Sequence, residues 1–127
     1  MQIIEKFQIA RKIKELDKLG QIDQIDLIEV FDVYCDDIKF SYDSKYLLTT
    51  YSIKHTYSIK SRYFQLSCNR KQETTENDKP IVTYGFDVKT ENNKLCEIGT
   101  EHAKSLYDHA YSLFLAKSAK KNKVKNR

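Results

Sequence analysis

The sequence predicts an α+β fold in which two N-terminal helices and one C-terminal helix pack on one face of a four- to five-stranded, mainly antiparallel sheet. Three observations carry this expectation. Apolar residues recur every three or four positions at both ends of the chain and every second position through its middle. The middle is rich in Tyr, Ile, Thr and Val, which suit a pleated, half-buried surface. With three Gly and one Pro among 127 residues, short connections are expected, and these favour antiparallel neighbours over crossovers.

The first helix is expected over residues 3–19. Ile3, Phe7, Ala10, Ile13 and Leu16 form one stripe, lysines fill the remaining surface, and Gly20 stands where a left-handed C-cap is commonly glycine. Asp23 is then placed to cap a second helix over 24–38, with Ile25, Ile28, Phe31, Cys35 and Ile38 on one face. Asp26, Glu29, Asp32 and Asp36 fall on the opposite face. The β-formers Val30, Phe31, Val33 and Tyr34 support a rival strand, but fifteen residues of helical period outweigh local propensity.

A short strand, Ile38 to Tyr42, is expected to end at Asp43-Ser44. The stretch from Tyr46 to Cys68 repeats the phrase Thr-Tyr-Ser-Ile-Lys at 50–54 and 56–60, with His55 between. Twenty-three residues at about 3.3 Å each would span roughly 75 Å, too long for one strand. The repeat suggests a hairpin folded at His55 with a bulge near Ser61, although no Gly or Asn supplies a positive φ there. The alternative break lies at Lys60–Arg62, where the apolar parity changes.

Residues 69–80 contain no aliphatic or aromatic residue before the break at Pro80 and are expected to form an exposed loop. Val82, Tyr84, Phe86 and Val88 alternate with polar residues as a strand, and Asn92-Asn93 suits a tight turn into a return strand at Leu95–Ile98. Thr100 is placed to cap the last helix, whose stripe is Ala103, Leu106, Ala110, Leu113 and Phe114. Residues 1–117 are expected to form a single domain, followed by a basic, flexible tail over 118–127. The expected core comprises Phe7, Ile13, Leu16, Ile28, Phe31, Tyr51, Ile53, Ile59, Phe64, Tyr84, Phe86, Leu106, Ala110 and Leu113.

Composition bounds the function without naming it. No apolar run approaches the ~18 residues of a membrane span, and the N-terminus lacks the pattern of a signal peptide. An intracellular, cytoplasmic location without membrane contact is expected. Cys35, Cys68 and Cys96 are unpaired in spacing and read as structural thiols rather than zinc ligands. His102 and His109 lie two turns apart on a helix, too far to hold one ion. No phosphate-binding glycine loop or nucleophile–base pair is recognisable. The expectation is a protein that is not an enzyme and takes no metal or other cofactor.

The net charge of +4 is unevenly distributed. Seven acids and one base lie between Asp23 and Asp43, whereas six bases and no acid lie between Lys117 and Arg127. The leading expectation is a small protein-interaction module, an adaptor or inhibitor. Its acidic helix face, Asp26, Glu29, Asp32 and Asp36, would meet a basic or nucleic-acid-binding protein. The competing reading makes that face solvated or paired with Lys12, Lys14 and Lys18. The alternative function is nucleic-acid binding through Lys54, Lys60 and Arg62 together with tail residues Lys120, Lys121, Lys123, Lys125 and Arg127. Tyr51, Tyr57 and Tyr63 would then be candidate stacking residues, unless their apolar parity buries them.

Overall fold

The computed structural model describes residues 2–92, 94–98 and 101–125, with side chains described over 4–92 and 101–119. Helix α1 (Gln2–Lys18) and helix α2 (Leu27–Val33) precede five strands, and helix α3 (Glu101–Lys125) follows them. The strands are β1 (Lys39–Leu47), β2 (Thr50–Lys60), β3 (Phe64–Thr75), β4 (Ile81–Thr90) and β5 (Lys94–Ile98). They pair in sequence order as an antiparallel meander of four long strands and a short fifth. The α+β class and the antiparallel sheet agree with the sequence reading, whereas the bounds of its strands and of the second helix differ.

Helix α1 ends at Gly20 in the left-handed conformation, φ 69°, as its sequence position predicts. Its buried stripe is rotated from the expected one. Ile9, Ile13 and Asp17 are buried, whereas Phe7 is 67% exposed. The first half of α1 meets the chain after α2 through Lys6, whose carbonyl accepts from the Tyr34 hydroxyl at 3.1 Å, and Phe7, the next residue, turns outward. The second helix is shorter than expected, and Asp26 rather than Asp23 caps it, accepting from the Glu29 N–H at 3.2 Å. The flanking residues, Ile22–Gln24 and Cys35–Asp37, form 3-10 turns. These turns break the continuous helix that apolar periodicity suggested, yet they still bury Ile22 and leave Cys35 half-buried.

The repeated phrase does not fold back at His55. Both copies lie in one strand, β2, and His55 sits mid-strand opposite Tyr42 of β1 and Arg70 of β3. The chain turns instead at Leu48-Thr49 and at Ser61–Tyr63. Turn chemistry does not explain the choice, because Leu48 takes a positive φ, 55°, that leucine disfavours. What this turn gains is a β2 paired on both sides, with β1 from Thr50 to Ser58 and with β3 over its whole length. The unbroken register of β2 against β3 from Thr50 to Lys60 leaves no bulge near Ser61. Strand β1 extends past Asp43-Ser44 to Leu47, its backbone paired to β2 over that whole length.

The predicted loop at 69–80 is also mostly strand. Through Glu73, β3 is hydrogen-bonded between β2 and β4, so its backbone groups are satisfied on both edges even though its side chains are polar. Arg70 donates to the Tyr84 hydroxyl at 3.3 Å, and Lys71 pairs with Glu73 at 2.8 Å. Only residues 76–80 remain as a connection.

Helix α3 crosses the strands. Its His102 ring meets Phe86 of β4, Tyr107 lies between Tyr84 and Tyr57, and Phe114 contacts Tyr57 and Phe40 of β1. Lys117 then donates to the Ile38 carbonyl at 3.4 Å. The core lies beneath this crossing and joins Ile13, Val30 and Phe31 to Tyr57, Ile59, Leu66, Cys68, Val88, Leu106 and Ala110. Of the expected core, Leu16, Ile28, Tyr84 and Leu113 pack against this cluster while half-buried. Tyr51 and Ile53 are half-buried further along β2.

Candidate functional site: the uncovered half of the sheet

A helix that crosses a sheet covers only its own width of each strand. With a diameter of about 10–12 Å, α3 spans about three residues of strand length. β3 has twelve residues, and only Phe64, Leu66 and Cys68 of its helix-side positions are buried. Helices α1 and α2 do not extend the cover, because they cluster at the same end. Tyr34 meets Phe64 edge-on, Lys14 stands 4.5 Å from the Tyr63 ring, and Asp17 binds Thr90 and Asn92.

The far half of the helix-side face is therefore open. It carries Tyr42 and Tyr46 on β1, Tyr51, Ile53 and His55 on β2, Arg70 and Gln72 on β3, and Val82 on β4, with Tyr84 at the border. Tyr46 is 79% exposed and its ring lies 4.7 Å from that of Tyr51. Tyr42 stands 6.1 Å from His55. Leu48 extends the apolar surface into the turn, whereas Leu47 falls by register on the helix-free face, and a shallow depression is lined by Tyr46, Leu48, Tyr51, Thr74 and Thr75. Tyr111 and Leu115 of α3 are exposed.

The structure puts the acidic and the basic residues anticipated from sequence on different surfaces. Asp26, Glu29, Asp32 and Asp36 are all exposed, but three of them have work within the chain. Asp26 caps α2, Glu29 lies 3.9 Å from Lys12, and Asp32 meets His109 at 2.5 Å. Lys14 instead stacks on Tyr63. Among the described residues the neighbouring acid Asp37 also has a partner, Lys6 at 2.9 Å, which raises the ammonium pKa by accepting its hydrogen bond.

Lys54 and Lys60 point from the helix-free face of β2. Lys39, Lys45, Lys71 and Lys89 share that face by register. Glu73 and Asp87 lie among them, and Asp87 Oδ1 is buried without a hydrogen-bond partner among the described residues. Arg62 is in the β2–β3 turn beside Tyr63 and lines a cleft with Lys14, Asp17 and Glu91. Tyr57 is 3% exposed, and burial pushes its phenol pKa well up, so it offers no stacking surface. Tyr51, Tyr57 and Tyr63 consequently form no common platform. Side chains from Lys120 to Arg127 lie outside the described residues, although the α3 backbone continues to Lys125.

Among the described residues no group of three His, Cys, Asp or Glu side chains converges to hold a metal ion. Cys68 is fully buried and its thiol is pushed up to about 12, chiefly by desolvation, so it is a packing residue rather than a nucleophile. Cys35 is half-buried, and the Cys96 side chain lies outside the described residues. No described helix is long and apolar enough to cross a membrane. Comparison with known protein families, with curated proteins and with solved structures found no match.

Proposed function

We propose that the protein is a small non-enzymatic interaction module, an adaptor or inhibitor, that engages another protein through the uncovered aromatic half of its sheet. One observation carries the reading: the strands outrun the helices, leaving exposed Tyr42 and Tyr46 beside half-buried Tyr51, His55 and Arg70 on a face that no described helix covers there. Tyrosine and arginine are the residue types enriched at the energetic centres of protein interfaces. Leu48 adds to it, being 95% exposed while held in a left-handed conformation that leucine disfavours. A residue that costs the fold stability and contributes no packing is suited to contact something outside it.

This reading moves the interface away from the acidic helix face, whose acids are largely occupied. It is also favoured over nucleic-acid binding by the separation of aromatic and basic residues. Of the helix-side positions of β1–β4, only Arg70 carries a permanent positive charge, while the strand lysines face the other way. A single strand cannot stack on one face of a sheet and place its phosphates on the opposite one. The lysine-bearing face and the basic end of α3 retain a second, weaker reading as a salt-sensitive phosphate-binding surface.

Affinity capture from the native host, with protein and nucleic acid both identified, separates these readings. Tyr46→Ser with Tyr51→Ser should reduce capture of a protein partner at least tenfold with little change in melting temperature. Capture that survives this change but is lost on reversing Asp26, Glu29, Asp32 and Asp36 to Lys in a folded protein would return the interface to α2. Capture of nucleic acid alone, abolished by deleting residues 118–127, would overturn the protein-binding reading.

A further inference from the structure

Strand β1 closes one edge of the sheet, and nothing in the described structure covers it. It pairs only with β2, so alternate N–H and C=O groups along its outer edge point away from the sheet. All nine of its residues are exposed. The usual protections of a free edge are scarce here. β1 contains no proline, and its register with β2 runs without a bulge from Lys39 to Leu47. Exposed Phe40, Tyr42, Tyr46 and Leu47 lie along it. What it does carry is charge, at Lys39, Asp43 and Lys45.

We infer that the occupant of this edge is a second copy of the chain, paired antiparallel through β1 about a two-fold axis at Ser44. An axis of this kind stands perpendicular to the sheet, so residues of like parity face each other and both helix layers stay on one side. Few such registers exist, and charge separates them. Centring on Asp43 sets that carboxylate against its own copy. Centring on Tyr42 sets Lys39 against Lys45. Centring on Ser41 pairs Lys39 with Asp43 but drives the partner strand against the Cys35–Asp37 turn and the Ile38 carbonyl, which already accepts from Lys117.

Centring on Ser44 sets Asp43 against Lys45 twice on the helix-free face and Tyr42 against Tyr46 twice on the helix side. Opposite charges and aromatic pairs directly across an antiparallel ladder are both favourable. Within each chain Tyr46 already lies opposite Tyr51, and Tyr42 opposite His55. Pairing at Ser44 therefore joins the two rows into one aromatic strip across the axis, doubling the surface proposed above for a partner.

Sedimentation equilibrium of the full chain tests this. The wild type should sediment at twice the 15.0 kDa chain mass at micromolar concentration. Lys45→Asp, whose neighbour on β2 is the uncharged Ser52, should weaken self-association about tenfold or more without disturbing the fold by circular dichroism. Adding Asp43→Lys to that variant, with Lys54→Asp so that residue 43 still faces an opposite charge on β2, restores opposite charges across the axis and should restore the dimer. A wild type that stays monomeric at hundreds of micromolar overturns the inference. So does a dimer indifferent to Lys45→Asp, or a charge-restored variant that remains monomeric. Partner capture by a monomeric wild type would overturn the dimer while leaving the interaction-module reading standing.

Discussion

Asp17 is the charged side chain on which the helical end of the molecule depends most directly. It is 6% exposed and accepts hydrogen bonds from the Thr90 hydroxyl, from the Asn92 backbone N–H at 3.3 Å and from the Asn92 side-chain amide at 3.2 Å. These bonds tie the last turn of α1 to the end of β4. Asp17→Ala leaves several donors without their acceptor and should destabilise the fold by about 1–3 kcal/mol in urea titration. Cys68 defines a second residue-level expectation. Below its ordinary value of 9.0 the thiol is neutral in both states, and its burial carries no ionisation penalty. Between there and about 12 the unfolded chain loses the proton while the folded chain keeps it, so stability falls as pH rises. Desolvation raises Tyr34, Tyr57 and Tyr107 in the same direction and extends the loss into strong alkali. The urea midpoint should hold to about pH 9 and then decline; a flat profile to pH 11 would contradict this assignment.

At the scale of the element, the β1–β2 hairpin shows strand pairing overriding turn chemistry in setting strand boundaries. The doubled phrase in β2 made a fold at His55 attractive, because pairing about that residue would align Ile53 with Tyr57. The chain instead bends where Leu48 takes a positive φ, and the duplication becomes one long strand whose odd positions all lie on the side of the sheet that α3 crosses. Left-handed backbone costs a leucine roughly 1–2 kcal/mol that glycine avoids. Leu48→Gly should accordingly raise stability by up to about 1 kcal/mol, net of the greater freedom of glycine in the unfolded chain. The same change should weaken partner capture if the exposed leucine belongs to the interface. Differential scanning calorimetry and capture on one preparation read both effects.

For the whole molecule, the decisive relation is between strand length and helix width. A sheet of ten- to twelve-residue strands crossed by a single helix leaves half of that face without a layer. The opposite face is polar throughout its centre and needs no cover. The open aromatic half and the free β1 edge beside it are the surfaces without a covering layer, while Asp26, Glu29 and Asp32 each have a partner within the chain. Reversal of all four acids should therefore lower the melting temperature through loss of the α2 cap and of the Lys12 and His109 contacts.

The sequence by itself determined the α+β class with an antiparallel sheet, the glycine cap of α1, the alternation in β4 and the stripe of α3. Each depends on residues close along the chain, through a period of two or 3.6 or a backbone conformation only some residues adopt. Tertiary structure decided that polar residues 69–75 form a strand, because a strand between two others is held by backbone bonds that side-chain hydropathy does not report. It also decided that Asp17 is buried while Phe7 is not, since burial depends on which surface lies opposite. Asp17 stands four residues after Ile13 on the inner side of α1, a spacing that marks the position, but its partners Thr90 and Asn92 are distant in sequence. The candidate site has the same origin. The sequence supplied the tyrosines and their parity, but only the placement of α3 across the strands determined which of them are core and which lie open.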